Sequence, residues 1–229
     1  GSLWRDLFES LLFATVLALF ARTFLFQAFE IPSASMEKNL LIGDHILVNK
    51  FVYGPAPTQI ERALLPVRPV ERGDVVVFRF PEDPSRDFVK RCVALGGDEV
   101  EISDGALLLD GQTIDERGYV FHDPEAQGDP FARYESRPLG DFGPFRVPRD
   151  NFFCLGDNRE NSHDSRAWGP VPADLVRGRA LLVYWSRGDS SRPSGEPPRD
   201  FRGRLEGVAQ YARELVFSTR WQRTFRLVR

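Results

Sequence analysis

The sequence predicts a mostly β protein, preceded by one N-terminal transmembrane helix and followed by a short C-terminal helix. Three observations carry this prediction. Between Glu9 and Glu30 the chain runs SLLFATVLALFARTFLFQAF, in which Arg22 is the only charge. From there to about residue 187, short apolar or alternating runs recur between Gly, Pro and Asp, with no long helical period. Near the end, Leu205, Val208, Ala212, Leu215 and Val216 return to helical spacing.

At about 1.5 Å per residue, roughly 20 helical residues match the hydrocarbon core of a bilayer. Arg22 lies toward one end of the run, where a long side chain snorkels to the interface. A cleavable leader would need a small-x-small site after its apolar core. Here the run continues into Glu30-Ile31-Pro32, which favours an anchor, with a buried core helix as the alternative. The chain opens on Gly1-Ser2 without an initiator Met, and native residues are expected before it.

Strands are expected at His45–Phe51, Asp74–Phe80, Asp87–Leu95, Glu99–Ile102, Ala106–Leu109, Asn151–Leu155 and Ala180–Trp185. Asp104-Gly105 and Asp110-Gly111 bracket the fifth of these as hairpin turns. Thr113 to Arg149 is rich in Pro, Gly, Asp and Arg and reads as a loop-rich insertion, and Ser190–Pro198 as a linker.

With 42% hydrophobic and 12% aromatic residues the chain has the material for a packed core, and two cysteines exclude a disulfide framework. A net charge of −3 argues against nucleic acid as a partner. Charge is unevenly spread. From Arg202 to Arg229 there are seven Arg against Glu206 and Glu214, a local +5 that leaves about −8 on the rest. Such a tail suits either anionic headgroups or packing on the body.

Candidate chemistry narrows quickly. His45, His122 and His163 are far apart and Cys92 and Cys154 stand alone, so no metal site is expected. Ser162-His163-Asp164 are adjacent in sequence, which rarely lets side chains converge, and no G-x-S-x-G elbow occurs. What remains is Ser33-Ala34-Ser35-Met36, just past the apolar run. A serine hydroxyl needs a base to take its proton, and a lysine serves if burial keeps its amine neutral. Only three lysines exist. Lys38 lies in a polar turn, Lys50 ends a strand, and Lys90 sits inside the apolar run Phe88–Leu95, sharing a strand face with Phe88 and Cys92. A third segment, Gly156 to Arg166, is dense in short polar and charged side chains, as expected of a hydrogen-bonded loop braced by Asp–Arg pairs.

Together these residues resemble type I signal peptidases, the Ser-Lys dyad endopeptidases that remove signal peptides from exported proteins. The resemblance rests on Ile31-Pro32-Ser33-Ala34-Ser35-Met36 with Leu41-Ile42-Gly43-Asp44, on Arg72-Gly73-Asp74 through Phe78, on Asp87-Phe88-Val89-Lys90-Arg91, and on Gly156-Asp157-Asn158-Arg159 through Trp168-Gly169. It implies an antiparallel β-sheet catalytic core with a smaller β-rich insertion. The domains would be an anchor over 1–29, the core over 30–102 and 150–187, an inserted subdomain over 103–149, a linker over 188–203 and a basic amphipathic tail over 204–229. Ser35 would be the nucleophile and Lys90 the general base, with the Ser33 hydroxyl and the Ser35 N–H forming the oxyanion hole. Ser162 would hydrogen-bond Lys90, Asp164 would pair with Arg166, and Asp157 and Arg159 would support the loop. Ile31, Met36, Leu40 and Leu41 would line the substrate pockets. No cofactor or metal is implied. The partners would be signal peptides of exported preproteins and the bilayer, with the catalytic part on the outer face of the bacterial cytoplasmic membrane.

This chain departs from the family pattern at Gly96, where Pro is commoner, at Glu160, at His163 and at Cys92, which is read as buried apolar filler. His163 would either titrate beside Ser162 or face solvent. A Cys92–Cys154 disulfide is chemically allowed outside the cytoplasm. Two other readings share some of these features: a Ser-Lys self-cleaving repressor, and a catalytically silent membrane-tethered β module.

Overall fold

Asp44-His45-Ile46-Leu47-Val48-Asn49 alternates between buried Asp44, Ile46 and Val48 and half-buried residues between them, the pattern of a strand with one face on the core. The computed structural model describes residues 2–53, 67–121, 141–188 and 217–228. Within them the strands, in chain order, are β1 (Phe26–Glu30), β2 (Asp44–Asn49), β3 (Val75–Arg79), β4 (Asp87–Leu95), β5 (Glu99–Ser103), β6 (Ala106–Leu109), β7 (Gln112–Thr113), β8 (Phe142–Arg146), β9 (Asn151–Leu155), β10 (Val171–Pro172), β11 (Val176–Ser186) and β12 (Arg226–Leu227). The main sheet runs β1-β2-β11-β3-β4-β9-β10, with β12 also paired to β11, and the second runs β7-β6-β5-β8. Neighbouring strands in both sheets pair antiparallel.

The strand-forming runs read from the sequence each fall on a strand, with ends displaced by a few residues. Central β3 buries Val75, Val76, Val77 and Phe78 in succession, which requires cover on both faces. Three apolar clusters supply that cover and more. One packs Ile31, Met36 and Leu40 with Ile46, Val48 and Val77. A second joins β4 and β9 to the small sheet through Val93, Leu107 and Phe153. A third gathers Val76, Phe78, Cys92 and Cys154. The Phe153 ring joins the two sheets, lying 5.2 Å from Phe142 and 5.9 Å from Phe145, centroid to centroid. Cys92 and Cys154 oppose each other across β4 and β9, and both are buried free thiols.

The N-terminal helix departs from expectation. α1 (Ser2–Phe20) gives way to a π-helical turn at Ala21–Leu25, and the end of the apolar run becomes β1 instead of continuing as helix to Phe29. Pairing with β2, from Phe26 opposite Asn49 to Glu30 opposite His45, satisfies that backbone and brings Phe29 onto the first cluster. No helix among the described residues is long and apolar enough to cross a membrane. The large apolar side chains of α1 from Leu3 to Phe20 are nonetheless all more than half exposed.

The tail is described only in part. The helical spacing at Leu205–Val216 and most of the linker lie outside the described residues. From Phe217 the chain is packed on the body: Arg226 and Leu227 pair with Val183 and Leu182 of β11.

Because Phe153 is fully buried between the sheets, Phe153→Ala should lower unfolding free energy by about 3–5 kcal/mol in urea denaturation, the usual cost of emptying a core aromatic site.

Candidate active site

Ser35 is carried by a single 3₁₀ turn, Ala34–Met36, that follows Pro32 and precedes the tight loop Glu37–Gly43. That loop is closed at its base by β-type hydrogen bonds: Ile31 N to Asp44 O at 2.8 Å and Gly43 N to Ile31 O at 3.0 Å. Lys90 is on β4, opposite Val76. Its Nζ lies 2.7 Å from Ser35 Oγ, and both residues are buried, at 4% and 3% exposure. The amine also sits 5.4 Å from the centre of the Phe88 ring on the same strand face. The other lysines are elsewhere: Lys38 is exposed, and half-buried Lys50 donates to Thr23 O at 2.8 Å. Ser33 Oγ is 3.3 Å from Ser35 Oγ, completing a row of three polar atoms. An amine and a second hydroxyl are therefore both within reach of the Ser35 hydroxyl, the arrangement that hydroxyl-mediated acyl transfer requires.

The polar loop after β9 is braced by the Asp164–Arg166 pair and by partners from other parts of the chain. Asp157, fully buried, accepts two 2.7 Å bonds from the Arg91 guanidinium and a third from Asn39 Nδ2, also 2.7 Å. Arg91 further donates to Gly73 O at 2.6 Å and stacks over Tyr119, 4.2 Å from its ring centre. Arg159 pairs with Glu116 and donates to Gly156 O at 3.0 Å. Asp164 pairs with Arg166 at 2.8 Å and accepts from Gly156 N at 3.0 Å. Ser165 Oγ accepts from Cys154 N, tying the loop to β9. Finally Asn158 N donates to Ser35 O at 3.1 Å, which holds the Ser35 backbone.

Ser162 Oγ does not hydrogen-bond Lys90. It is buried against Gly156, where an added Cβ would lie 2.1 Å from that oxygen, and it has no hydrogen-bond partner among the described residues. Ile31, Met36 and Leu40 are nearly or fully buried in the first cluster, so they form core beside Ser35, while Leu41 is half-buried. His163 is half-buried with its ring 6.1 Å from Phe80, and His122 lies outside the described residues. Two cavities of about 540 and 660 Å³ open elsewhere, one beside Thr113–Arg117 and one beside Arg68–Val70, and neither includes Ser35 or Lys90.

Arg91, Asn39 and Glu116 escaped the sequence reading. Arg91 alone left a signal, as a second charge inside the apolar run of β4. The Arg72-Gly73-Asp74 stretch proves to be structural bracing: Arg72 pairs with Asp98 at 2.7 Å, and Asp74 accepts from Arg68 and from the Tyr53 hydroxyl. No group of His, Cys, Asp and Glu among the described residues could hold a metal ion.

Burial alone would raise the Asp164 carboxyl, but the Arg166 charge and hydrogen bonds, with the Gly156 N–H, hold it below the usual carboxylate range. Asp44 and Asp74 show the same balance, each depressed by arginine against the pull of burial.

The family described as signal peptidase, peptidase S26, matches residues 4–185. Signal peptidase I of Pseudomonas fluorescens is 36% identical over 200 residues, 74% of this chain and 68% of that protein. Signal peptidase I of Aquifex aeolicus is 33% identical over 226 residues, 76% of this chain and 82% of the relative. Among solved structures, a signal peptidase I from Enterococcus faecalis aligns with 49% of this chain and 97% of its own length, at 26% identity and a TM-score of 0.36.

Two outcomes follow from this geometry. Gly156→Ala would place a Cβ 2.5 Å from Ser35 O, and should reduce turnover about 10²-fold, the scale of an ångström-sized displacement at a reacting group. Asp157→Ala strands the buried Arg91 charge, and should cost about 3–5 kcal/mol of stability in urea unfolding. The depressed carboxyls add a pH dependence. Their folded values lie below the unfolded ones, so their stabilisation is complete above about pH 4 and is lost as pH falls through the folded values. The urea midpoint should therefore drop below about pH 4, and drop less steeply in Asp164→Asn.

Proposed function

The chain belongs to the signal peptidase family, peptidase S26, and from that membership we propose that Ser35 and Lys90 carry out the removal of signal peptides from exported preproteins. The observation that carries the assignment is the 2.7 Å approach of Lys90 Nζ to Ser35 Oγ inside the core. Burial disfavours the ammonium, so Lys90 acts as a neutral amine. It takes the Ser35 proton as Oγ attacks the scissile carbonyl carbon. The oxyanion is met by the Ser35 N–H and the Ser33 hydroxyl. The Lys90 ammonium then protonates the departing amine, which leaves an acyl-enzyme on Ser35. Water loses its proton to Lys90, attacks the ester carbonyl, and regenerates the Ser35 hydroxyl as the acyl group departs.

Asp164–Arg166, Asp157 and Arg159 keep the loop rigid through the bonds described above. Ser162, within that loop, packs against Gly156 and supports it through shape. The apolar neighbourhood of Ile31, Met36, Leu40 and Leu41 favours small side chains just before the scissile bond. The small sheet with segment 103–149 forms an insertion in this core. We assign α1 to the bacterial cytoplasmic membrane, with the β core on the extracytoplasmic face. Its uncovered apolar side chains support this, and β1 then leads directly from the bilayer to Ser35. Family membership leaves no role for the self-cleaving repressor or the silent β module.

Cleavage of a preprotein by detergent-solubilised protein is the test. Ser35→Ala and Lys90→Ala should each lose at least about 10³-fold in turnover. Lys90→Arg should be equally inactive, because a guanidinium does not release its proton in proteins. Cleavage that survives in either lysine variant excludes the dyad. Protease protection on intact cells should show the β core degraded from outside.

A further inference from the structure

Arg223 lies well beyond residues 4–185, the part of the chain that the family match covers, yet it reaches the segment that carries Ser35. Its Nη2 donates to Asp44 Oδ2 at 2.5 Å and to Asn39 O at 2.9 Å, and its Nε lies 3.3 Å from Asp44 Oδ1. Asp44 is fully buried, and Arg223 is only 14% exposed. Both of its partners matter to the nucleophile's loop. Asp44 closes that loop: its carboxylate also accepts from Leu41 N at 2.9 Å and Ser186 Oγ at 2.5 Å, and its backbone pairs with Ile31. Asn39 carries the connection onward, because its side chain donates to Asp157, the partner of Arg91 beside Lys90.

The tail that delivers Arg223 is itself secured. Trp185 Nε1 donates to Thr219 Oγ1 at 3.0 Å, Gly188 N to Ser218 O at 2.7 Å, Arg220 N to Ser186 O at 2.8 Å, and Arg220 Nη1 to Ile42 O at 3.1 Å. These bonds fix the direction from which the guanidinium enters, so the cation is held in place on both sides. A fork of donors meeting a carboxylate and a carbonyl together is a geometry that arginine satisfies and lysine only in part.

We propose that Arg223 is a positioning residue for catalysis: from the C-terminal tail it locks the loop between Ser35 and Asp44 and so holds Ser35 against Lys90. The proposal rests on Ser35 being the nucleophile. Without Arg223, buried Asp44 loses its counter-charge and the Asn39 carbonyl loses a donor, so the loop relaxes and Ser35 shifts against Lys90, which stays fixed on β4.

The test is steady-state kinetics of the full chain in detergent on a peptide spanning a signal-peptide cleavage site, at a temperature well below each variant's unfolding transition. Arg223→Ala should lower kcat about 10- to 100-fold, the scale set by misplacement of a reacting group, with a smaller change in KM. Arg223→Lys should recover part of kcat, because it restores the charge without the fork. An unchanged kcat in Arg223→Ala, or a loss confined to KM, overturns the proposal. So does an Arg223→Lys variant no better than Arg223→Ala. Should Arg223→Ala fail to fold, Arg223→Gln is measured in its place with the same two criteria on kcat and KM. Ser35→Ala, run in parallel, separates the two readings: cleavage surviving there refutes the nucleophile, whereas an intact kcat in Arg223→Ala refutes only the positioning role.

Discussion

A lysine amine held 2.7 Å from a serine hydroxyl, both nearly closed off from water, sets the terms for the surrounding structure. The amine works as a base only where its charged form is disfavoured, so its neighbours must be apolar, or polar groups already committed to one another. β4 meets that demand by running through the core with Cys92, Val93 and Ala94 buried beyond Lys90. The apolar clusters on either side of the main sheet then close the site from below.

Enclosure creates a second problem, because the segment bearing Ser35 and the loop after β9 are both irregular and carry backbone groups that a sheet would otherwise satisfy. The protein answers with buried ion pairs, each joining distant pieces of chain. Arg91–Asp157 ties β4 to the loop, Glu116–Arg159 ties the small-sheet side to it, and Arg223–Asp44 ties the tail to the Ser35 turn. Buried pairs of this kind bring little net stability, since desolvating both charges offsets most of their attraction. Their value is geometric: once made, they leave each segment one low-energy position. The abundance of arginine over lysine fits that use, because a planar fork fixes direction as well as distance.

The family's motif residues divide by what their side chains meet. Ser33, Ser35 and Lys90 meet at the Ser35 hydroxyl, while Arg72 and Asp74 only hold strand ends through Asp98, Arg68 and Tyr53. Ser162, expected to aim the lysine, instead fills the space that Gly156 leaves by having no Cβ. The signal for an Asp–Arg brace was visible in the sequence. The partners of Asp157 and Arg159 were not, since Arg91 and Glu116 lie outside the loop and far away in sequence.

Local pattern determined a good deal by itself: the strand runs, the turns at Asp104-Gly105 and Asp110-Gly111, the serine motif, and Lys90 as a lysine within an apolar strand. These depend on period-two alternation and on composition within a few residues, which any chain of this sequence carries. Three-dimensional packing decided the rest. Phe26–Glu30 looked like the end of a helix and became a strand because β2 offered its backbone a partner. Arg91, Glu116 and Arg223 became structural because their charge partners arrive from 66, 43 and 179 residues away. Periodicity reports only on neighbours along the chain. The partner of a buried charge is chosen by the fold, so it can be read only once the fold is formed.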